Sequence, residues 1–580
     1  MASLQRVRVR GQSYWRIVQS QRVNGKPRPI VVAYLGKPDD LLARLRATDE
    51  LTLHCRSHGA VAALYALAKE LDVAGTIDRQ LASVGRRVRQ RPQAVPPGPL
   101  PPVRQDGLTV GESLVLAAIG RACHATSKRG FSAWARTTTL GELAGADVER
   151  LTSQHFWDQM DQLPIEAIAP IEEELLGRAL ERFEIPLDTL LYDATNFFTY
   201  IASTNARPHL PARGHNKQKR HDLRQLGVAL LCTRQDQIPL WHQLYGGQIP
   251  DAKSFPQAVT ALSQRLLELG RELETLTLVY DKGNISRSNQ QLVDGSKLHY
   301  VASVSSASQR ALVAEANAQF LPVVIDETAE QPEQREVMAY RTRRRILGAQ
   351  RTAVVVLSRR LQAGQKRGIL QHVASAERWL ERLSATLQRG RQRRDQARIQ
   401  HDIEARLRGR QHLRKVLDVK LEDRQGKLTL SYQFNQAALE TLEREWLGRI
   451  VLVSDRDDWS TADIIRAYRG QSHVEGVFAH LKDPVHVTLR PQFHWTDQKL
   501  HVHVFICLIA YLLARLLHLR ASRSGYPHSM ERLLDDLEQV RRVRVARRSA
   551  TGKGSWRVTT QLDHCSPELT ALLARLQIPT

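Results

Sequence analysis

The segment LDTLLYDATNFF, residues 187–198, is a continuous apolar run that leads into an acidic residue, Asp193. Such a run predicts a strand that is buried on both faces. The segment TLTLVYDKGN, residues 275–284, repeats the pattern and places Asp281 after the sequence apolar-apolar-Tyr. The two segments therefore predict neighbouring buried strands that each end in a carboxylate.

The surrounding sequence predicts further strands and several helices. Strand patterns occur at 227–233 and 238–245, which flank a short turn, and at 299–305, 427–434 and 449–455. Helical periodicity occurs at 58–82, from 108 to about 180, at 365–415, at 501–518 and at 528–540. Strands with intervening helices predict a mixed α/β sheet.

The two aspartates suit metal chemistry. A carboxylate at the end of a buried strand is costly unless it is paired or bound to a cation. Acidic oxygens are the ligands that Mg²⁺ and Mn²⁺ prefer, and two aspartates with a third carboxylate are a ligand set for phosphodiester chemistry. Taken one at a time, each aspartate is more often a cap for the next turn, and Asn284 and Asn289 fit such a turn after Asp281.

A third carboxylate lies in the segment DIIRAYRGQSHVEGVFAHLKDP, residues 463–484, which has the period of an amphipathic helix. Tyr468, Glu475 and Lys482 are spaced by seven, so they share nearly one face of that helix. Glu475 on a face that packs against the sheet needs a cation, and Lys482 is placed to contact phosphate. The alternative is a solvated surface glutamate.

Asp193, Asp281 and Glu475 have the order and context of the DDE transposases of bacterial insertion sequences, and the chain resembles this family. The similarity is to the family-four-like branch, whose helix reads Tyr-x2-Arg-x3-Glu-x6-Lys. Gln471 stands at the Arg position, and Arg469 is a candidate to supply the missing charge. The resemblance also covers segments 214–231, 238–251, 279–289 and 489–513.

The resemblance implies an α/β fold with a ribonuclease-H-like catalytic core interrupted by a large insertion. A mainly helical N-terminal region and a C-terminal helical region would flank it. Asp193, Asp281 and Glu475 would be the catalytic residues and would hold two divalent cations, Mg²⁺ or Mn²⁺. The implied reaction is metal-dependent cleavage at the ends of the element, followed by strand transfer into target DNA. The implied partners are double-stranded DNA, as element ends and as target, and a second copy in a homodimeric synaptic complex.

The expected domain organisation follows the chain. It consists of a basic β-ribbon (1–45), a helical DNA-binding region (46–180) with a Pro- and Arg-rich linker (84–107), the first part of the core (181–310), an insertion domain (311–455), the second part of the core (456–520) and a C-terminal basic region (521–580).

The charge balance favours a polyanionic partner. The chain has 580 residues with 84 Lys and Arg against 60 Asp and Glu, a formal net charge of +24. Such an excess is typical of nucleic-acid-binding proteins. The five cysteines lie far apart in the sequence, which excludes a disulfide scaffold and fits a reducing compartment. The longest apolar run, 504–514, is too short to span a bilayer. We therefore expect no membrane partner and a cytoplasmic, nucleoid-associated bacterial protein.

Basic residues cluster at 1–38, 341–351, 389–398 and 541–548, and a further cluster lies shortly after Asp193. Within it, Lys217, Lys219 and Arg220 are candidate DNA contacts, together with Tyr468, Arg469 and Lys482. Three histidines also lie in this stretch, but zinc is disfavoured because no cysteine or ligand-spaced pair accompanies them.

Two other functions remain open. A catalytically degenerate or domesticated transposase would bind specific DNA without cutting it, and Gln471 is the residue that favours this alternative. A basic structural or regulatory DNA-binding protein would use the same carboxylates only for folding.

Overall fold

The structure is a computed structural model. It describes residues 2–23, 26–46, 50–89, 107–202, 204–216, 218–389, 395–408, 410, 412–424, 427–490, 492–548 and 556–578. The chain divides into two compact units. The terminal unit comprises Met1–Glu70, Pro99–Asp158 and Leu516–Thr580, and the central unit comprises Leu71–Gly98 and Gln159–Arg515.

The strands are β1 (Ala2–Val9), β2 (Gln12–Val23), β3 (Lys26–Gly36), β4 (Glu50–Ser57), β5 (Thr189–Thr199), β6 (Arg224–Thr233), β7 (Pro239–Gly246), β8 (Thr277–Tyr280), β9 (His299–Val304), β10 (Leu321–Val324), β11 (Glu336–Ile346), β12 (Ala349–Leu357), β13 (Leu417–Arg424), β14 (Lys427–Phe434), β15 (Arg449–Ser454), β16 (Arg541–Arg548) and β17 (Arg557–Leu562).

The α-helices are α1 (Pro38–Arg46), α2 (Gly59–Glu70), α3 (Val73–Arg89), α4 (Val110–Cys123), α5 (Phe131–Ala135), α6 (Leu140–Ala144), α7 (Ser153–Asp161), α8 (Ile165–Arg182), α9 (Asp251–Glu268), α10 (Arg287–Gly295), α11 (Arg310–Gln319), α12 (Pro332–Arg335), α13 (Arg359–Gln388), α14 (Gln396–Leu407), α15 (Leu413–Val416), α16 (Gln436–Glu445), α17 (Thr461–Arg469), α18 (Gln471–Lys482), α19 (Asp497–Arg523), α20 (Met530–Glu538) and α21 (Pro567–Arg575).

The central unit is built on one nine-stranded sheet, so the predicted mixed α/β sheet is confirmed. Its strand order is β10-β11-β12-β15-β9-β8-β5-β6-β7. The adjacent strands β9, β8 and β5 run parallel to one another, and all other neighbours are antiparallel. The predicted hairpin is β6 and β7.

The repeated apolar-apolar-Tyr-Asp pattern has a simple structural reason. The rings of Tyr192 and Tyr280 both contact Phe255 of α9, with centroids 5.1 and 5.0 Å away. Adjacent residues of an extended chain point to opposite faces, so Asp193 and Asp281 point away from this aromatic cluster. The pattern therefore buries one residue and directs the next to the other face of the sheet.

The predicted insertion domain, 311–455, is too wide. β10, β11, β12 and β15 fall inside that range, yet they belong to the large sheet. The segment outside the sheet runs from 358 to 448 and contains α13, α14, α15, the hairpin β13–β14 and α16. It has its own apolar core, which includes Ile369, Leu380, Ile403 and Leu439. The sequence of β11 is rich in arginine, so its pattern indicates a charge cluster more clearly than a strand.

The predicted helix over 463–484 is two helices, α17 and α18, which meet at Gly470. A Cβ on Gly470 would lie 2.9 Å from Arg234 Cγ and 3.0 Å from the Ala467 carbonyl oxygen. The glycine therefore lets the chain pass close to the turn that follows β6. The His473 amide donates to the Gly470 carbonyl at 2.7 Å across this joint.

α19 is long and apolar enough to cross a membrane, with a mean hydropathy of 2.0 over its apolar window. However, 89% of that window is buried inside the protein. This burial is typical of the central helix of a protein core.

The terminal unit contains more β structure than predicted. β1, β2 and β3 form the expected N-terminal antiparallel ribbon. β4 falls within the region 46–180 that was predicted to be helical, and β16 and β17 fall within the C-terminal region that was also predicted to be helical. These three strands pair in the order β17-β16-β4.

α3 covers the first part of the predicted linker, 84–107, and residues 90–106 lie outside the described residues.

Candidate active site

Three predicted carboxylates line one cleft of about 850 Å³ in the central unit. Asp193 lies inside β5, which continues to Thr199, so the strand does not end at the aspartate as predicted. Asp281 directly follows β8, as predicted. Glu475 lies on α18, which packs against β5. Three elements that are far apart in sequence thus bring their acidic side chains to the same cleft.

Asp193 is the most strongly perturbed of these carboxyls. Burial raises its pKa to about 7, and the nearby charges of Glu475 and Asp281 act in the same direction. A hydrogen bond from the Ala194 amide opposes this effect but is weaker than burial. The site therefore carries a carboxyl whose charged form is destabilised by its surroundings, which is common at functional sites.

Asp281 is held by a small hydrogen-bond network. Its Oδ1 accepts from Ser303 Oγ at 2.6 Å and from the Tyr468 hydroxyl at 3.0 Å. The Lys282 amide in turn donates to Ser303 Oγ at 3.0 Å. Burial alone would raise the pKa of Asp281, but these hydrogen bonds lower it below its ordinary value. Asp281 is therefore kept ionised and fixed in orientation.

Tyr468 was predicted to contact DNA, and the structure gives it a different contact. Its hydroxyl donates to Asp281, and burial raises its pKa well above the ordinary value. Tyr468 therefore remains a neutral donor that orients a carboxylate.

Basic side chains line the same cleft. Lys482 Nζ donates to Thr195 Oγ1 at 2.5 Å and lies over the rings of Phe197 and Phe478. Arg469 and Lys282 also line the cleft. Lys282 was not predicted to belong to the site, although its position directly after Asp281 in the sequence indicates that it lies close by. The cleft is thus lined by acidic and basic residues together, a combination suited to a polyanionic substrate.

Gln471, which stands at the Arg position of the signature that the sequence resembles, is buried at the start of α18. Its Nε2 donates to the Tyr192 carbonyl at 2.8 Å, and its Oε1 has no hydrogen-bond partner among the described residues. The side chain therefore links α18 to the backbone of β5 beside Asp193.

Asp251, the last residue of the family-like segment 238–251, is a fourth carboxylate of the cleft. It begins α9 and lines the cleft. Its Oδ1 accepts from the Tyr245 hydroxyl at 2.6 Å, and its charge contributes to the raised pKa of Asp193. Its link to the site depends on the packing of β7 and α9, which no local pattern reveals.

Two of the predicted DNA contacts after Asp193, Lys219 and Arg220, do not line the cleft. Lys217 lies outside the described residues. Lys219 is exposed and has a left-handed backbone conformation, with φ of 58°. Arg220 forms a bidentate ion pair with Asp222 at 2.8 and 2.9 Å, which lowers the pKa of Asp222 to about 2. The positive charge of Arg220 is therefore partly neutralised by Asp222 within the chain.

The basic cluster at 341–351 is also largely paired. Arg344 pairs with Glu315, Arg343 pairs with Asp457 at 2.9 Å, and the buried Arg351 pairs with Asp294. This cluster therefore offers fewer free charges to DNA than its sequence predicts.

The donor set of the cleft fits divalent cations. All the acidic groups are carboxylates, which are hard oxygen ligands of the kind that Mg²⁺ and Mn²⁺ prefer. Burial, with a smaller contribution from the neighbouring carboxylates, destabilises the charged form of Asp193, and a bound cation would stabilise that form. In the described part of the chain, no three His, Cys, Asp or Glu side chains form a preassembled metal site. The carboxylates would therefore have to draw together around a cation.

No protein family model matches the chain, and no curated protein matches it. Among solved structures, the chain is similar to piggyBac transposase, in a cryo-EM structure of its synaptic complex with hairpin DNA. The alignment covers 82% of this chain and 78% of that chain, with 10% sequence identity and a TM-score of 0.36. At this level of similarity, the function has to be inferred from the cleft itself.

Proposed function

We propose that the chain is a DDE transposase of a bacterial insertion sequence that cuts the ends of its element and joins them to target DNA. The observation that carries this proposal is the convergence of Asp193, Asp281 and Glu475 on one cleft with basic walls. The strand order β7-β6-β5-β8-β9, with three antiparallel strands followed by two parallel ones, supports a ribonuclease-H-like core.

Asp193, Asp281 and Glu475 would hold two divalent cations, Mg²⁺ or Mn²⁺. Bound there, the cations would lower the pKa of the attacking hydroxyl and stabilise the leaving oxygen. The residues of the chain have separate tasks. Ser303 and Tyr468 fix Asp281 by hydrogen bonds. Lys482 and Lys282 place positive charge on the cleft walls, where phosphodiester groups would lie.

The proposed partners are double-stranded DNA and a second copy of the chain in the synaptic complex. The formal charge of +24 supports the first of these. We propose that the protein acts at the bacterial nucleoid.

The test is cleavage of a supercoiled plasmid that carries the gene with its natural flanking DNA. Purified wild-type protein should nick or linearise this plasmid with Mg²⁺ and not with EDTA, and the cut sites should map to the ends of the element. Asp193→Asn, Asp281→Asn and Glu475→Gln should each abolish cutting, because each removes one charged ligand and keeps the side-chain shape.

A gel shift in EDTA on the same proteins provides the control. DNA binding should remain, because the carboxylates contribute no attraction to phosphate. Asp402→Asn, an exposed residue of α14, should cut normally. Glu475 is itself exposed, so Glu475→Gln should fold. Normal cutting by Glu475→Gln would overturn the assignment, and joint loss of folding and binding in all three variants would show a structural role.

A further inference from the structure

A second charged surface lies in the terminal unit, on the three-stranded sheet β17-β16-β4. One face of this sheet carries four basic side chains, which line a groove of about 400 Å³: His54, Arg56, Arg542 and Arg544. We call these four residues and their lining neighbours the basic groove.

The four basic side chains are brought together by strand register. Arg542 of β16 is paired with Arg56 of β4, and Arg544 is paired with His54. The guanidinium groups of Arg542 and Arg56 are like charges directly opposite each other on antiparallel strands, which is destabilising. These paired basic residues would therefore be stabilised by an anion bound between or above their side chains.

The positive charges of the basic groove are only partly neutralised by acidic side chains of the protein. Glu142 pairs with Arg56 at 2.9 Å and with Arg542 at 3.7 Å, so one carboxylate serves two guanidinium groups. Among the described residues, no acidic side chain forms an ion pair with Arg544. The Arg56 side chain is 43% exposed and that of Arg542 is 30% exposed, so the groove is open to solvent.

The remaining lining suits the same kind of ligand. Thr139 and Thr560 add hydroxyl groups, which can donate to phosphate oxygens. Guanidinium groups bind phosphate in a bidentate manner. An open groove with its charges spread over two strands fits a continuous polyanion better than an enclosed small anion.

We propose that the basic groove binds the phosphodiester backbone of duplex DNA, as a site separate from the carboxylate cleft. Guanidinium and hydroxyl groups are typical donors to phosphate oxygens, so we assign the groove to affinity and not to sequence recognition. This inference does not require that the protein cuts DNA.

The test uses two double variants of the full-length protein, which remove the same charge from opposite faces of β16. Side chains alternate along a strand, so Arg542 and Arg544 line the groove whereas Arg541 and Arg547 lie on the other face. Arg542→Gln/Arg544→Gln is compared with Arg541→Gln/Arg547→Gln. Affinity for a short duplex of random sequence is measured in EDTA between 50 and 200 mM salt.

Each neutralised phosphate contributes about −0.9 to the slope of log affinity against log salt. Arg542→Gln/Arg544→Gln should therefore make the slope shallower by about 1.8, whereas Arg541→Gln/Arg547→Gln should leave it near the wild-type value. Equal slopes for the two double variants would overturn the proposal. So would a loss of affinity for inorganic phosphate with unchanged DNA binding.

Glu142→Gln gives a result that misfolding cannot produce. This change frees Arg56 and Arg542 from their internal partner, so DNA affinity should rise and the salt slope should steepen. An unchanged or weaker affinity would overturn the proposal. The groove is tested by DNA binding in EDTA and the proposed function by Mg²⁺-dependent cutting, so a failure of one can be told apart from a failure of the other.

Discussion

The side-chain amide of Gln471 donates a 2.8 Å hydrogen bond to the main-chain carbonyl of Tyr192, the residue that precedes Asp193. This bond ties the first residue of α18, the helix that carries Glu475, to the strand that carries Asp193. Gln471 acts in the structure as a positioning residue between two carboxylates.

Gln471→Arg should therefore reduce both stability and cutting. The site is buried, and a longer charged side chain would overfill it, at a cost of about 1–3 kcal/mol. Thermal melting and plasmid cleavage measured on the same protein check this. Gln471→Met keeps the volume and should lose only the hydrogen bond, about 1 kcal/mol. An arginine variant that melts normally and cuts as well as the wild type would contradict this role.

Asp251→Asn should reduce DNA cutting more than a substitution of an exposed residue such as Asp402 does. The amide keeps the hydrogen bond from Tyr245 but removes a charge that faces Asp193. We expect a loss of cutting of about ten- to hundredfold, as for partners that surround a metal site, with a higher Mg²⁺ requirement. A titration of Mg²⁺ in the plasmid assay measures both. Behaviour identical to that of Asp402→Asn would show that Asp251 plays no part in the site.

Gly227→Ala should destabilise the central sheet and disturb Asp251. Gly227 is paired with Tyr245, and an added Cβ would lie 2.1 Å from the tyrosine ring. The ring would have to move, and it carries the hydroxyl that holds Asp251. We expect a loss of about 1–3 kcal/mol in the free energy of unfolding, measured in urea.

The matched control for this change is Gly177→Ala, inside α8, where nothing lies within 4 Å of the new Cβ. That variant should be more stable by up to about 1 kcal/mol, because alanine is the better helix former. Equal effects of the two substitutions would argue against the contact between Gly227 and Tyr245.

Asp294→Asn should be strongly destabilising at neutral pH. Arg351 is buried, and its guanidinium forms a bidentate pair with Asp294 at 2.7 and 2.9 Å. Removing the carboxylate leaves a buried charge without its partner, which typically costs about 3–5 kcal/mol. The measurement is the free energy of unfolding at pH 7. An exposed pair provides the control: Glu274→Gln, which loses its contact with Lys297, should change little.

The effect of Asp294→Asn should also depend on pH. Burial tends to raise the pKa of Asp294, but the hydrogen bonds from Arg351 and Gln290 lower it overall. A carboxyl with a lowered folded pKa stabilises the protein above its unfolded pKa, about 3.9, and this contribution is lost as the pH falls through the folded pKa. The difference between wild type and Asp294→Asn should therefore shrink below pH 4. A difference that is constant with pH would contradict the pairing.

The strands of the central sheet were predictable because their apolar runs are local signals. β5, β8 and β9 begin within two residues of the predicted positions. The extent of β5 beyond Asp193 was not predictable, because its continuation is decided by pairing with β6. The arginines of β11 and β16 predict charge clusters and not strands, although the alternation in RRVRVARR is a usable strand signal.

The three carboxylates of the cleft were found from sequence because each lies in a recognisable local context. Their catalytic roles remain predictions. Asp251 and the buried Gln471 owe their positions to packing between elements distant in sequence. The same holds for Arg351, whose partner Asp294 is far away in the chain. Charge in a sequence gives no information about which cations have an internal partner.

The interruption of the sheet by residues 358–448 has a consequence for biosynthesis. β15 lies between β9 and β12 in the sheet, yet it is translated after the whole interrupting segment. That segment has a core of its own and is free to fold while the sheet is still missing a middle strand. Glu475 follows later still, so we expect a ribosome-bound or prematurely terminated chain to lack the complete acidic cleft. Under the proposed function, DNA cutting would therefore become possible only after Glu475 and the rest of α18 have been synthesised.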